Sequence, residues 1–502
     1  MLFSFLMMTL TQSPEIHSVR FIPGDAPSLV VTGRNLYLGS EYESKSPWWS
    51  TRPEAKICKI SVNGQAGIWD NLFGASDEDA NRGLHAIQLV RFPGGLPLSA
   101  DALVEFERFD GAKANVRTFI PANRGRSLYL PSGQTEVISS RIVVPPGQTL
   151  DLGGKTLLPS STFRDSELVR YAAGSRVING RLVIPEDHPG PIRACLRPAM
   201  PAPGMPSTFG LHVSGLVIED LRKRGIGIET FACSNSMFFN TRIVAHTALL
   251  KGPTEISEDN LWYECEFTSP TGRNDGCVGN VMGGARNLVF RCRWHDIDRG
   301  PTASCWGSPL ERTTFFECSQ WNTGWTQGAS EGLLYEGGVS VWGNAVVDGT
   351  RVQLRDVVTN GSDRQLRVGY HIVIPSRNAW ARITDLQRVG STSDCSIITD
   401  RPLPVGIHEA FVGNVIYENN FIRCRFQDGK AGLFLFGVAA GNHVCGCSFD
   451  RLRGGIVRWD SQRVGDRPKM WSFEVGRFER VNWFRDVQEP NIAIPNTRDW
   501  PK

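Results

Sequence analysis

A chain of 502 residues exceeds what a single hydrophobic core usually serves and leaves room for two or three domains. Its 54 Lys and Arg balance 51 Asp and Glu to a net charge of +3, so nothing electrostatic calls for nucleic acid or an anionic membrane as partner. With 52 Gly, 14 Trp and 26 Phe, the composition is that of a turn-rich β protein with aromatic surfaces.

The first ten residues, MLFSFLMMTL, are apolar but lack a basic lead-in and a small-x-small cleavage site. Residues 1–15 read either as the remnant of a secretion signal, which would place the protein outside the cell or in the periplasm, or as an upstream start. No run reaches the roughly 18 apolar residues of a membrane span.

Residues 16–125 alternate apolar and polar positions between Gly and Pro turns. Ser28-Leu29-Val30-Val31-Thr32-Gly33 is followed by strands near residues 56–62, 85–90 and 103–109, the pattern of a small β-sandwich. The opening strands resemble the start of an Ig-like, transcription-factor-type (IPT/TIG) module over about twenty residues. Trp48-Trp49 lies between strands, as a loop folded onto the sandwich rather than a sugar platform.

Beyond residue 126 the chain turns repetitive, beginning with a first coil over residues 137–154. Tyr263-Glu264-Cys265-Glu266-Phe267, Phe290-Arg291-Cys292-Arg293-Trp294 and Phe316-Glu317-Cys318-Ser319 return about every 26 residues, each followed by a Gly-rich loop and a second apolar run. Related turns lie at Ile178-Asn179-Gly180, Val213-Ser214-Gly215 and Phe238-Phe239-Asn240, and again at Ile422-Arg423-Cys424 and Cys445-Gly446-Cys447. About nine copies, each too short to bury its own apolar face, must stack into a solenoid, and runs of three to five apolar residues make its coils of strands. This pattern resembles a right-handed parallel β-helix of the pectate-lyase-like group, all-β, with Asn, Cys or Gly at one inward corner. Twelve cysteines without a C-x-x-C pair then read as small buried corner residues, not as disulfides or a zinc site.

Two interruptions break the coils. A Pro-rich excursion spans residues 185–206. Residues 344–408 hold four or five strands of their own, a small inserted β-barrel similar to that of several bacterial β-helix proteins tied to glycan breakdown. The coils resume over residues 409–490, and residues 491–502 form a tail.

Chemistry is expected on the second run of each coil. Ends of these runs place Glu229, Lys251, Asn280, Glu336, Phe436 and Trp459 in one outward line. Loops entering the central coils are long: the first holds Arg273 and Asp275, the next His295, Asp296, Asp298 and Arg299, the third Trp321, Trp325 and Glu331. Three adjacent long loops would wall a cleft for a polysaccharide or oligosaccharide, although singly each charge is an ordinary solvated one.

Glycoside hydrolysis needs a carboxylic acid and a second carboxylate, for which Asp275, Asp298, Glu331 and Glu336 are the candidates. Lys251, Asn280, Arg273, His295, Arg299, Trp321, Trp325 and Glu229 would hold the substrate, without cofactor or metal. A lyase of uronic-acid polymers would instead use Lys251, Arg273, Arg299 and His295, with calcium as an added ion. Asn274-Asp275 is similar to part of the Asn-Thr-Asp of polygalacturonases, whose other motifs are absent. A third alternative is a non-catalytic β-helix of the tailspike kind. Sequence leaves a monomer and a homo-oligomer equally open.

Overall fold

Leu261–Tyr263, Glu266–Thr268 and Val278–Met282 are three short strands of one coil, and the same triplet recurs along the chain in the computed structural model. The structure describes residues 13–22, 28–34, 49–50, 58–76, 84–92, 102–108, 111–118, 134–199, 208–230, 233–250, 259–270, 278–282, 284–304, 310–323, 333–336, 338–359, 366, 368–377, 379–388, 394–414, 416–417, 419–436, 439–440, 443–459, 463–464, 467–468 and 483–494. Two compact units divide the chain, Met1–Gly125 and Arg126–Lys502. The N-terminal decapeptide, Trp48 and residues 495–502 lie outside the described residues.

The first unit contains two antiparallel sheets. One orders Glu15–Ile22, Ser28–Arg34, Leu84–Arg91, Ile68–Ser76 and Trp49–Ser50; the other orders Gln65–Ala66, Cys58–Val62, Ala102–Arg108 and Lys113–Thr118. Leu29 and Val31 of the first sheet and Val62, Val104 and Phe106 of the second are buried, as the alternation requires of a sandwich. Trp49 belongs to a strand paired with Phe73, not to a loop.

The second unit is a parallel β-helix. Among the described residues its ladder has 27 strands and winds through three faces, here called the first, second and third sheets in the order of the triplet above. Every rung pairs in parallel register with the next, as in Phe238↔Trp262↔Val289↔Phe315↔Phe421 of the first sheet. Inward positions of the second sheet stack Phe267 on Trp294 and Phe426 on Phe449 at ring separations of 5.2 Å and 5.1 Å. Such offset pairs add to the area they bury and fix the rungs about 4.8 Å apart.

The repeated motif spans a corner between the first and second sheets. Tyr263 ends one strand, Glu266 begins the next, and between them Glu264 takes a left-handed φ of 50° while Cys265 points inward. Arg291-Cys292 and Glu317-Cys318 repeat it. Asn179, Gly215 and Asn240 occupy the left-handed position, one residue before the cysteine column, so the expected mixture of Asn, Cys and Gly at a single position resolves into two. A separate corner carries the asparagine ladder: the Ser236 amide donates to Asn260 Oδ1 and the Asn260 amide to Asn287 Oδ1, both at 3.0 Å. Cys265, Cys292, Cys318, Cys424 and Cys447 are buried free thiols, and burial holds those of Cys292 and Cys318 well above the ordinary thiol pKa.

The inserted barrel is closed and six-stranded: Gly338–Asp348, Arg351–Thr359, Cys395–Thr399, Ala379–Arg388, His371–Ile374 and Gly406–Asn414. It therefore occupies residues 338–414, wider than 344–408, because its two root strands pair with each other and their alternation also suits a coil. Val412, read above as resumed coil, is buried in the barrel core with Val341, Ile372 and Ala410. Around it the β-helix closes without a gap, Thr314 pairing with Asn420 and Ser319 with Arg425. The Pro-rich excursion likewise contains a third-sheet strand, Ala194–Pro198, and Glu489–Ile494 carries the coils past their expected end at residue 490.

Candidate functional site

Outer faces of the three sheets differ. On the first, Phe239, Tyr263, Phe290 and Phe316 form a second aromatic stack that is also buried, which closes this face to a substrate. On the third, Glu229 is 0% exposed and held by Arg193 and by Arg197 at 2.6 Å, while Arg197 also approaches Glu167 at 3.8 Å. Glu229 is thus part of a buried ion-pair network and not an outward ligand.

Register also dissolves the expected outward line. Glu336 shares a column with Ser304, Phe436 and Trp459, but Asn280 stands in the column of Ile228 and Pro301, one position out of phase with Glu229. A one-residue slip moves a side chain to the opposite face of a strand, and sequence runs of unequal length concealed it.

The outer face of the second sheet is polar and partly exposed. Here His295 and Trp321 are cross-strand neighbours, their rings stacked at 4.5 Å between centroids and 7° between planes. Both sit on strands, Arg293–Ile297 and Ser319–Thr323, because Trp294 and Gln320 occupy the inward positions and period two turns the next residue out. His295 Nδ1 lies 2.7 Å from Asp296 Oδ2 and Nε2 3.4 Å from Glu266 Oε1. Asn322 donates to Asp296, and Glu266 is bracketed by Arg242 at 3.0 Å and Arg293 at 3.5 Å.

Electrostatics follow from those contacts. Burial disfavours the imidazolium of His295, but the hydrogen bonds and charges of Glu266 and Asp296 outweigh it and raise its pKa above the ordinary histidine value. The bond from His295 lowers the Glu266 pKa against the opposing effect of burial, with Arg242 and Arg293 adding to it. Further along the same face, Gln427, Asp450 and Arg485 continue the column of Trp321. Arg451 grips Asp428 at 2.6 Å and 2.8 Å, and Arg485 grips Asp450, so both carboxylates are held below their ordinary values by those bonds.

Of the residues expected to act, the structure brings together His295 and Trp321. Asp298 lies at the corner after Ile297 and is 3% exposed. Arg299 opens the strand Arg299–Ser304, so the stretch read as a long loop is two strands meeting at a corner. Lys251, Arg273, Asp275, Trp325 and Glu331 lie outside the described residues. Sequence reasoning gave no role to Glu266 and named Asp296 only among the charges of its loop. Glu266 was hidden inside the repeated motif, although aligning Phe267 with Trp294 places it opposite Arg293 and diagonal to His295. Among the described residues, no group of His, Cys, Asp and Glu is arranged to hold a metal ion, and no helix is long and apolar enough to cross a membrane.

No protein-family model matches the sequence, and no curated protein matches it. Among solved structures, 97% of the chain is similar to 95% of the catalytic domain of a GH87 alpha-1,3-glucanase in complex with nigerose, at 11% identity and a TM-score of 0.34. Similarity to the Yersinia enterocolitica family 28 exopolygalacturonase covers 96% of this chain and 99% of that one, at 9% identity and a TM-score of 0.26. At these scores neither likeness bears on activity. The fold is that of a parallel β-helix on the strength of this chain's own ladders, with an N-terminal sandwich and an inserted barrel.

Proposed function

We propose that this chain is a carbohydrate-active enzyme, a glycoside hydrolase that holds an extended polysaccharide or oligosaccharide against the β-helix. The observation supporting this is the stacked His295–Trp321 pair on the partly exposed second-sheet face. An indole offers a flat apolar surface for the CH face of a sugar ring, while the polar column of Gln427, Asp450 and Arg485 offers hydrogen bonds to hydroxyls.

Acid and base are drawn in this reading from Asp275, Asp298, Glu331 and Glu336, one protonating the leaving oxygen and another acting as base or nucleophile, with no metal or cofactor. Both ring nitrogens of His295 face carboxylates, which leaves it poorly placed to take an α-proton and favours hydrolysis over β-elimination. Such a substrate agrees with a secreted or periplasmic location.

A second reading, glycan binding without cleavage, is favoured by one observation. Glu266, Asp428 and Asp450 are held at lowered pKa by His295, Arg451 and Arg485 respectively, the reverse of what a general acid requires. A panel of plant, algal and host glycans, assayed for reducing ends, unsaturated ends and binding, separates the readings. New reducing ends alone support the hydrolase, unsaturated ends the lyase, and binding without either product the non-catalytic protein.

A further inference from the structure

Whether the Trp321 indole can serve as a platform depends on what fixes its plane. The groups facing the His295 ring among the described residues come from its own strand and its two neighbours. Asp296 meets Nδ1; Glu266, backed by Arg242 and Arg293, meets Nε2; Trp321 lies on the ring face, with Asn322 beside it holding Asp296. An imidazole with two protons donates from both nitrogens, whereas a neutral one keeps a single N–H and turns a lone pair to its other partner. Both contacts are therefore attractive only in the imidazolium. Loss of one proton sets a lone pair against a carboxylate oxygen, and the ring must leave either Glu266 or Asp296.

We propose that His295 is a positioning residue for Trp321: clamped at both nitrogens by Asp296 and Glu266, it holds the indole stacked against its own ring on the outer face of the β-helix, and does so only while it carries two protons. What the held indole receives rests on the glycan reading above; the clamp itself does not. Geometry also sets the direction. Burial opposes the charged ring, Glu266 and Asp296 favour it, and the carboxylates prevail. The clamp is accordingly closed where His295 is doubly protonated and Glu266 ionised, and opens as pH rises through the elevated histidine value.

The test uses the full chain without glycan. Emission is recorded from about pH 5 to about pH 9 for the protein and for Trp321→Phe, and their difference isolates one indole, whose fluorescence a stacked imidazolium quenches. The His295 ring protons are followed by NMR over the same range, assigned with His295→Gln. Expected is a one-proton rise in the difference emission, coincident with the His295 titration and centred above 6.5. Glu266→Gln should lower that midpoint by about one pH unit, and Asp296→Asn should lower it independently, so one misfolded variant does not decide the matter. A step that persists in His295→Gln overturns the proposal. So does a midpoint unmoved by both amides, or a His295 titration to which Trp321 is blind. An intact step with a negative glycan panel removes the glycan reading and keeps the clamp; a positive panel with no step does the reverse.

Discussion

His295 and Trp321 stand on successive coils, yet their rings are parallel to within 7° because register pairs the two residues directly across the second sheet. Neither ring is in the core. Their inward neighbours Trp294 and Gln320 are, so the same backbone that packs the interior presents the outer pair.

Truncating the outer ring tests the platform. Trp321→Ala should weaken binding of a glycan identified by the panel by about 1 to 2 kcal/mol, roughly tenfold, with little change in melting temperature. Binding calorimetry is the measurement, and unchanged affinity would move the platform elsewhere.

Linkage gives the site a stability profile. The His295 pKa is raised, so its contribution is fully present below 6.5 and is lost as pH rises through the higher folded value. The Glu266 pKa is lowered, so its contribution is present above 4.5 and is lost as pH falls through the lower folded value. The pair therefore stabilises most between these limits. Glu266→Gln should flatten both flanks of a plot of melting temperature against pH, and a profile identical to that of the unaltered chain would show the pair to be energetically silent.

Single amide substitutions test the chemistry. Of Asp275→Asn, Asp298→Asn, Glu331→Gln and Glu336→Gln, at least two should lose a hundredfold or more in rate, about 2.7 kcal/mol in the barrier. Near-normal rates in all four, with loss in Lys251→Ala or Arg299→Ala, would transfer the assignment to a lyase.

Corner thiols are expected to be reduced and inert in the folded chain. Cys292→Ala should cost about 1 to 2 kcal/mol through lost packing, read from denaturant unfolding. Thiol reagent should find Cys265, Cys292, Cys318, Cys424 and Cys447 only after unfolding. Thiols missing from the unfolded, unreduced protein would instead reveal disulfides.

Replacing residues 338–414 by a short Gly linker should leave the β-helix folded, since Thr314↔Asn420 and Ser319↔Arg425 already join the flanking rungs. Action on polymer should fall if the barrel contacts substrate. Full activity of the deletion would confine the barrel to a structural role.

Cys265, Cys292 and Cys318 made the solenoid legible, because a corner that admits only a small inward residue imposes a period that sequence displays directly. Phase was less legible. Glu264 and Arg291 carry left-handed backbone that nothing in their chemistry announces, so the motif was treated as one run although it joins the end of the first sheet to the start of the second. Asp296, Asp298 and Arg299 looked like a loop because charges accumulate wherever a strand turns outward. Glu266 could not be singled out by type, since what distinguishes it is a partner on the next coil, His295, which only register supplies.

The barrel also bears on the order in which the chain folds. The Thr313 amide reaches Asn419 Oδ1 at a separation of 106 residues, a closure far longer than the 27 residues between Asn260 and Asn287. Pairing of Gly338 with Asn414 at the barrel root removes most of that loop before the coils need to meet. Closure entropy grows with the length of the free segment, so a barrel formed first turns the most distant rung contact into a nearly local one. Pulse-labelled hydrogen exchange should then find amides of the root strands Gly338–Asp348 and Gly406–Asn414 protected earlier than those of Asn420–Ile422, the rung that depends on them.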